Sequence, residues 1–392
     1  MSLAGRDLVT ISDLSNEEME GIFGLADEMA RHARGIVGLG AGKVMATLFY
    51  EASTRTRLSF ESAMQRLGGG VITCADMGTT SVAKGETLAD TVRVVESYAD
   101  ILVMRSPQEG AARVAADYAR VPVINAGDGA HEHPTQTLLD LYTIRRESGR
   151  LQGCWVALVG DLKYGRTTHS LAVALARFGG SMVCVAPPGL EMPAEVLAAV
   201  EAHTGSRPRQ YRNLEELTGD LDLLKAHSPQ ASQPKLAFGP MSLFDAIYVT
   251  RVQRERFTDP AQYEKAKGAY RITADLLANA RSDTLVMHPL PRVDELDYGL
   301  DEDLRAAYFR QASYGIPVRM ALLAALLGRA EVALGAGSRP PTAPRPVPGN
   351  GLACSNPRCV LRSEWYLSPR FELVGDEPVR CAYCQRLAEV PV

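Results

Sequence analysis

Apolar runs of strand length alternate with amphipathic helical stretches along most of the chain. The run at 43–50 is typical of a largely buried strand, and the stretch 58–67 that follows it has the periodicity of a helix. Ser15 and Glu18 have the spacing of a capping box, which predicts a first helix that reaches to about residue 34. Alternation of this kind predicts βαβ units, in which helices cover both faces of a parallel sheet.

The alternation occurs in two successive series, so the sequence predicts an α/β protein with two doubly wound parallel-sheet domains. A helix from Pro134 to about Gly149 is expected to bridge them, because proline is favoured at the first helical position. The further strands of the first series are expected at 71–74, 101–104 and 121–125, with helices at 87–98 and 108–118 between them. Those of the second series are expected at 155–160, 182–185, 246–249 and 284–287, before a helix from about 317 to 334.

The C-terminal part of the chain departs from this pattern. Residues 335–351 contain five prolines and no apolar periodicity, which predicts a semi-rigid linker. The predicted organisation is a first domain at 1–133 that is completed by a helix at 305–334, and a second domain at 134–304. The linker at 335–351 then leads to a small β module at 352–392.

Composition and charge narrow the possible partners. The 392 residues carry a formal net charge of −4, which gives no support for binding nucleic acid or a membrane surface. Residues 1–13 carry charges of both signs and no apolar core, so they do not resemble a signal peptide. No stretch approaches the ~18 uninterrupted apolar residues of a membrane span. We therefore expect a cytoplasmic protein without nucleic acid or a membrane among its partners.

The junction between the first predicted strand and its helix is a candidate anion site. Ser53 or Thr54 is the expected N-cap, so the first helical N–H groups lie at the positive end of the helix dipole. The hydroxyls of Ser53, Thr54 and Thr56 and the guanidinium of Arg55 would add donors suited to a phosphate. The alternative is a capped helix with solvated arginines. The polar residues that follow the later strands argue against that alternative.

Ligands of parallel sheets gather where the strands end. Arg105 follows the predicted strand at 101–104, while His133 and Gln136 lie after the strand at 121–125. If these side chains converge with the phosphate site, an imidazole and an amide are present where a carbonyl would be polarised. Taken alone, His133 is as compatible with a helix N-cap that has no chemical role.

The second series places arginines after its strands in the same way. Arg166 follows the strand at 155–160 and Arg251 follows the strand at 246–249, where each could bind one carboxylate in bidentate geometry. Two such arginines indicate a dicarboxylate, although either one alone could form a surface salt bridge. Lys84 lies in a polar stretch and could add a cation to either ligand, or remain a solvated surface residue.

Four of the seven cysteines are concentrated near the C-terminus, in two pairs with the spacing of a tetrahedral Zn²⁺ site. They are Cys354, Cys359, Cys381 and Cys384. A module of this size should need its metal to fold, because it is too small to bury a core. Its five arginines are balanced by five acidic residues, so it lacks the basic face that nucleic-acid binding requires.

Seven segments resemble, in order, the aspartate/ornithine carbamoyltransferase family: FYEASTRTRLSFE, SVAKGETLADT, MRSPQEGAAR, INAGDGAHEHPTQTLLDLYTI, GDLKYGRTTHS, YVTRVQRERF and HPLPRVDEL. The resemblance covers about residues 5–334. It implies that 1–133 bind carbamoyl phosphate, that 134–304 bind the second substrate, and that the chains form a trimer or a multiple of trimers. The HPLPR and TRVQ sequences replace the HCLP and SMG types of ornithine enzymes, and Arg251 would repel a cationic amine, so L-aspartate is the favoured second substrate.

The resemblance also implies a role for individual residues. The phosphate of carbamoyl phosphate would be bound by Ser53, Thr54, Arg55 and Thr56. Its carbamoyl oxygen would be bound by Thr56, Arg105 and His133. Its amino group would be bound by Gln136 and by the backbone of Leu290 and Pro291. L-aspartate would be held by Arg166, Arg251 and Gln253, with Lys84 and Ser81 from a neighbouring subunit. The catalytic residues implied are Arg55, Thr56, Lys84, Arg105 and His133, with no metal or cofactor in the reaction.

The implied reaction converts carbamoyl phosphate and L-aspartate to N-carbamoyl-L-aspartate and phosphate, in the de novo synthesis of pyrimidines and UMP. A carbamoyltransferase for another amine and a non-catalytic, zinc-bearing scaffold of the same fold are the alternatives. The cysteine pairs CSNPRC and CAYC resemble those of the zinc-binding domain of the family's regulatory chain, which implies a fusion of the two chains. The nucleotide-binding domain that precedes those cysteines in a regulatory chain is replaced by the linker, so no ATP or CTP site of that kind is expected.

Overall fold

A computed structural model describes residues 2–32, 38–75, 81–223, 239–252, 270–332, 344–349, 351–373 and 378–389. These residues group into two compact units. The first unit comprises Met1–Leu138 and Gly315–Val392, and the second unit comprises Leu139–Tyr314. Each unit contains one parallel sheet with helices packed around it, as the alternating pattern predicts.

The first unit begins with helix α1 (Asn16–Arg31), which starts at the predicted capping box. The Ser15 hydroxyl accepts the Glu18 N–H at 3.2 Å, and the Glu18 carboxylate accepts the Ser15 N–H at 2.9 Å. The sheet that follows consists of four parallel strands in the order β2-β1-β3-β4. Its elements are β1 (Val44–Phe49), α2 (Thr54–Arg66), β2 (Gly70–Cys74), α3 (Leu88–Val95), β3 (Ile101–Ser106), α4 (Ala111–Tyr118) and β4 (Val123–Asp128).

Helix α5 (Pro134–Ser148) begins at the predicted proline and leads into the second unit. The sheet of the second unit has five parallel strands in the order β7-β6-β5-β8-β9. Its strands are β5 (Trp155–Val159), β6 (Ser181–Val185), β7 (Arg209–Tyr211), β8 (Ala246–Val249) and β9 (Leu285–Met287). Its helices are α6 (Arg166–Arg177), α7 (Ala194–Thr204), α8 (Leu214–Gly219) and α9 (Ala274–Leu277).

The last long helix, α10 (Tyr308–Leu326), differs from the prediction. A start at about 317 was wrong, because Pro317 lies inside a helix that begins at Tyr308, close to the start at 305 in the predicted domain bounds. The helix ends at Leu326, before the predicted end at 334. Proline removes one helical hydrogen bond, and here the packing of the flanking turns keeps the helix continuous. In the part of this helix that belongs to the first unit, residues 320–326 are all buried.

The C-terminal module consists of short antiparallel strands that pack on the first unit. Strands β10 (Arg345–Val347), β12 (Phe371–Leu373) and β13 (Arg380–Cys381) form one sheet, and β11 (Ala353–Cys354) pairs with β14 (Ala388–Glu389). Val360, Phe371 and Tyr383 of the module belong to the same buried apolar cluster as Leu102 and Val114 of the first unit. The module therefore extends the first unit's core.

Polar contacts centre on Glu109, in the loop between β3 and α4. The Glu109 N–H donates to the Arg358 carbonyl at 3.0 Å, and the Glu109 carbonyl accepts the Val360 N–H at 2.9 Å. The buried Glu109 carboxylate accepts the Asn356 amide at 2.7 Å. Further contacts reach α3, where the Leu88 N–H donates to the Glu364 carboxylate at 3.1 Å.

In the part of the chain that the structure describes, no helix is long and apolar enough to cross a membrane.

A substitution at Gly110 tests how closely the module packs against the rest of the first unit. Its φ is +91°, and a Cβ at this position would lie 2.7 Å from the backbone carbonyl carbon of Tyr383. We expect Gly110→Ala to lower the free energy of unfolding by more than the ~1 kcal/mol of a left-handed alanine alone, because the module's backbone must also move away.

The matched control is Gly149→Ala, where φ is +79° and no atom lies within 4 Å of the added Cβ. Urea denaturation measures the free energy of unfolding of both variants. Proteolysis of the folded chain detects release of the module. Equal destabilisation by the two substitutions would contradict the close approach.

Candidate active site

The predicted phosphate site lies at the start of α2, with Ser53 as N-cap. The Ser53 side chain makes no capping hydrogen bond. The first helical bond runs from the Arg57 N–H to the Ser53 carbonyl at 3.4 Å, so the N–H groups of residues 54–56 precede it. Thr56 is buried, whereas Thr54 and Arg55 are exposed. This arrangement provides N–H and hydroxyl donors together with a guanidinium at the positive end of the helix dipole.

Arg105 lies beside this site, because β3 is the direct neighbour of β1. Phe49 pairs with Arg105 in the sheet, and the Tyr50 N–H donates to the Arg105 carbonyl at 2.8 Å. The buried Arg105 guanidinium binds the Glu51 carboxylate at 2.6 Å and the Ala126 carbonyl at 3.3 Å. Its position is therefore fixed from both neighbouring strands.

His133 and Gln136 follow β4, the strand on the other side of β3. Both side chains are buried, and the Thr135 hydroxyl lies 3.4 Å from His133 Nδ1. The segments that carry Thr56, Arg105 and His133 thus follow three adjacent strands at the same edge of one sheet. Lys84 is exposed at the end of a single 3₁₀ turn, Ser81–Lys84, and its assignment to a neighbouring site stays a prediction.

Arg166 and Arg251 occupy the corresponding edge of the second sheet. Arg166 is the first residue of α6 after β5, and Arg251 follows the neighbouring strand β8. The Thr250 N–H donates to the Val159 carbonyl at 2.8 Å, which holds the two segments side by side. Both arginines are half-buried. Gln253, the third residue predicted to bind aspartate, lies outside the described residues.

The segment that contains Leu290 and Pro291 follows β9. The peptide bond between them is cis, and Leu290 has a φ of 56°. The His288 ring holds this segment, since its Nδ1 accepts the Leu290 N–H at 2.7 Å. The other ring nitrogen, Nε2, therefore carries the proton and donates to the Glu295 carboxylate at 2.7 Å.

Glu295 is a buried carboxylate that closes this loop. Its second oxygen accepts the N–H groups of Val293 at 3.1 Å and Asp294 at 3.0 Å. Burial alone would raise the pKa of the Glu295 carboxyl, but the hydrogen bonds from His288 and the backbone outweigh burial and lower that pKa. The carboxylate is thus ionised at neutral pH and fixes the ring that holds Leu290.

The four predicted metal-ligating cysteines come together in the C-terminal module. Their sulfur atoms all lie within 4.8 Å of one another, and all four side chains are buried. The Sγ atoms of Cys354 and Cys384 are 3.5 Å apart, and those of Cys359 and Cys381 are 4.0 Å apart. This set of four thiols could hold one metal ion.

Several residues of these sites were not predicted from the sequence. Glu51 binds Arg105, and Asp140 and Gln311 belong to a buried network described below. Asp140 had a detectable signal, because it is an acidic residue in the apolar stretch TLLDLYTI. Glu51 and Gln311 had none, since each lies among polar neighbours.

Comparison with known proteins gives matches along both units. Residues 6–146 match the family model for the carbamoyl-P binding domain of aspartate/ornithine carbamoyltransferase, and residues 237–326 match the model for its Asp/Orn binding domain. The aspartate carbamoyltransferase catalytic subunit of Methanopyrus kandleri is 50% identical over 329 residues, which are 83% of this chain and 99% of the relative. That of Thermoplasma acidophilum is 48% identical over 328 residues, 83% of this chain and 99% of the relative.

Solved structures agree with these relatives. The catalytic subunit of M. jannaschii aspartate transcarbamoylase superposes with a TM-score of 0.73 at 47% identity, covering 82% of this chain and 98% of that one. Aspartate transcarbamoylase from Trypanosoma cruzi in complex with carbamoyl phosphate superposes with a TM-score of 0.73 at 40% identity, covering 83% of this chain and 97% of that one. Both family-model matches end before the four-cysteine module.

The lowered pKa of Glu295 gives a pH-dependent prediction. A carboxylate with a depressed pKa contributes stability above its unfolded pKa of about 4.3, and that contribution is lost as the pH falls through the folded pKa. We expect Glu295→Gln to lower the free energy of unfolding by about 1–3 kcal/mol at pH 7. The difference from wild type should shrink below about pH 4.

Denaturant titrations at several pH values measure this difference. Glu302→Gln, at an exposed position of the same unit, is the control, with an expected change within about 0.5 kcal/mol. A Glu295→Gln effect that stays constant from neutral to acidic pH would contradict the ionised, hydrogen-bonded carboxylate.

Proposed function

The chain belongs to the aspartate/ornithine carbamoyltransferase family, and we propose that its reaction transfers the carbamoyl group of carbamoyl phosphate to the amine of L-aspartate. The products are N-carbamoyl-L-aspartate and phosphate, which places the enzyme in de novo pyrimidine synthesis. The observation that carries the choice of aspartate is the pair of arginines, Arg166 and Arg251, which follow adjacent strands of the second sheet. Two guanidinium groups suit the two carboxylates of aspartate and repel a cationic amine such as ornithine.

In the proposed reaction the first unit binds carbamoyl phosphate. Its phosphate is assigned to Ser53, Thr54, Arg55 and Thr56, at the N-terminus of α2. The amine of aspartate attacks the carbamoyl carbon, and a tetrahedral intermediate with a negatively charged oxygen forms. Thr56, Arg105 and His133 are assigned to that oxygen, and in comparable acyl transfers each such donor contributes ~2.7–4 kcal/mol.

The intermediate collapses when the bond between carbon and the phosphate oxygen breaks. The electron pair leaves with the phosphate, and the departing phosphate accepts the proton that the amine loses. Gln136 and the backbone of Leu290 and Pro291 are assigned to the carbamoyl amino group. Most of the remaining rate increase is expected from holding the two substrates in line.

We also propose that L-aspartate is bound by Arg166, Arg251 and Gln253, and that Lys84 and Ser81 act in a neighbouring subunit of a trimer or a multiple of trimers. The exposure of Lys84 is compatible with that role. For the domain organisation we propose the bounds 1–133 with 305–334, 134–304, 335–351 and 352–392. The compact units divide instead after Leu138 and Tyr314, and β10 of the module lies within the range proposed as linker.

The metal that we propose for the C-terminal module is Zn²⁺, in a structural role. A tetrahedral Zn²⁺ with Zn–S bonds of about 2.3 Å separates its sulfur ligands by about 3.8 Å. The sulfur separations of 3.5 Å and 4.0 Å fit this geometry. Burial raises the pKa of the Cys354 thiol, and a bound Zn²⁺ would offset this cost because it binds cysteine as the thiolate. We propose that the module corresponds to the zinc-binding domain of the family's regulatory chain.

A substrate panel tests the reaction. Carbamoyl phosphate offered with aspartate, ornithine or putrescine should give product with aspartate alone. Arg251→Ala should raise the KM for aspartate by about 10²-fold or more, because the half-buried guanidinium assigned to one of its carboxylates is lost. Arg271→Ala, which removes an exposed arginine paired with Asp297 in the same unit, should leave both KM values unchanged.

The outcomes of this panel are distinct. Citrulline from ornithine would show that the second unit takes a different amine. A folded protein that forms no product from any amine would favour a non-catalytic scaffold.

Zinc content tests the assignment of the metal. The purified chain should hold one Zn²⁺, and Cys354→Ser should lose it and expose the module to proteolysis, because the module has too little apolar surface to fold alone. Cys184→Ser is the control, since Cys184 is equally buried but lies in β6. Atomic emission and limited proteolysis measure both effects, and a Cys354→Ser chain that keeps its metal would refute the ligand set.

A further inference from the structure

A chain of buried hydrogen bonds in the second unit ends on the backbone next to Leu290. Asp140, on α5, is fully buried and accepts the Gln311 side-chain amide at 2.7 Å. Its other oxygen accepts the Tyr248 hydroxyl at 2.8 Å. Gln311, on α10, is 1% exposed, and its Oε1 accepts the His288 backbone N–H at 2.9 Å. We refer to Asp140, Gln311 and His288 as the buried relay.

The orientation of the Gln311 amide follows from its two partners. An ionised carboxylate only accepts hydrogen bonds, and a backbone N–H only donates. The amide NH₂ must therefore face Asp140, and the amide oxygen must face His288. Rotating the amide by 180° would oppose two acceptors at one end and two donors at the other. The hydrogen bonds of the buried relay therefore run in one direction, from His288 through Gln311 to Asp140.

The relay continues through the His288 ring to the loop itself. The ring accepts the Leu290 N–H at 2.7 Å and donates to Glu295 at 2.7 Å. Leu290 has a φ of 56°, a left-handed conformation that is unfavourable for a residue other than glycine. Since the peptide N–H groups of His288 and Leu290 are both held by buried side chains, the surrounding structure keeps the loop in this conformation.

We propose that Asp140 and Gln311 are positioning residues for substrate binding. They hold the backbone at 288–291 so that its carbonyl groups can accept the amino group of carbamoyl phosphate. This inference rests on the proposed function, which assigns the amino group to Leu290 and Pro291 and the phosphate to residues of the first unit. The buried relay should therefore affect ligands that carry the amide NH₂ and leave the binding of inorganic phosphate unchanged.

Gln311→Met removes both hydrogen bonds of the amide and keeps the length of the side chain. Calorimetric titration compares phosphonoacetamide, a stable analogue that keeps the amide, with inorganic phosphate, which lacks it. We expect the Kd for phosphonoacetamide to rise about 10- to 100-fold, and that for phosphate to change less than about twofold. The KM for carbamoyl phosphate should rise together with the Kd for phosphonoacetamide, while the KM for aspartate stays unchanged.

Gln311→Glu is a second variant, and it tests the relay because its hydrogen bonds depend on the protonation of the introduced carboxyl group. In its protonated form the new carboxyl has the hydrogen-bonding pattern of the amide, since its O–H can donate to Asp140 and its C=O can accept from His288. In its ionised form it repels Asp140. Asp140, Tyr248, His288 and Glu295 are the other titratable groups of the network, and all four are retained in the wild-type comparison. The defect relative to wild type should therefore diminish as the pH is lowered from 8 to 6.

Thr284→Val is the matched control, because it removes a buried hydrogen bond of 2.8 Å to Phe244 in the same unit, outside the relay. Circular dichroism monitors the fold of every variant. Unchanged affinities in both Gln311 variants, or parallel weakening of phosphonoacetamide and phosphate, would overturn the relay. A wild-type protein that binds phosphate but not phosphonoacetamide would instead overturn the proposed function, and the inference with it.

Discussion

Burial of both sheet faces is the constraint on which the rest of this structure depends. The strands β1, β3 and β4 are buried along almost their whole length, so polar side chains cannot lie in their middle without a partner. They are found where the strands end, and parallel strands end at a common edge. Thr56 and His133 therefore follow β1 and β4, and Arg105 lies at the end of β3 between them. Arg166 and Arg251 follow neighbouring strands of the other sheet.

The same constraint explains how much of the molecule the sequence could predict. Apolar runs mark buried strands, so every strand of the two parallel sheets except β7 was predicted to within a few residues, and the residues after them were identified as candidates for binding. The edge strand β7 was missed because its three residues, Arg209–Tyr211, contain no apolar run. Pro317 shows the limit of local rules, because the position that proline favours in isolation is overridden when the turns before it are helical. Most strands were thus predictable, whereas the local pattern around the proline misplaced the start of α10.

Contacts between residues far apart in sequence were not predictable. Gln311 meets Asp140 across 171 positions, and Asn356 meets Glu109 across 247. No periodicity or spacing connects such pairs, so even Asp140, which stands out in an apolar stretch, does not reveal its partner. Their partners become evident only once folding has buried them, because a buried carboxylate must be satisfied by some donor. The polar networks are thus a consequence of the tertiary structure.

Glu109 shows what such a contact does in the C-terminal module. Its backbone N–H and carbonyl both form hydrogen bonds with the module, and its carboxylate accepts a hydrogen bond from the Asn356 amide. The neighbouring Gly110 N–H donates to the buried Asp128 carboxylate at 2.8 Å. The loop between β3 and α4 is therefore held by the module on one side and by β4 on the other. Because Arg105 lies in the strand that leads into this loop, the cysteine cluster and the candidate phosphate site share one continuous set of contacts within the first unit. A metal bound by the four cysteines would, by folding the module, also support the sheet edge at which Arg105 lies.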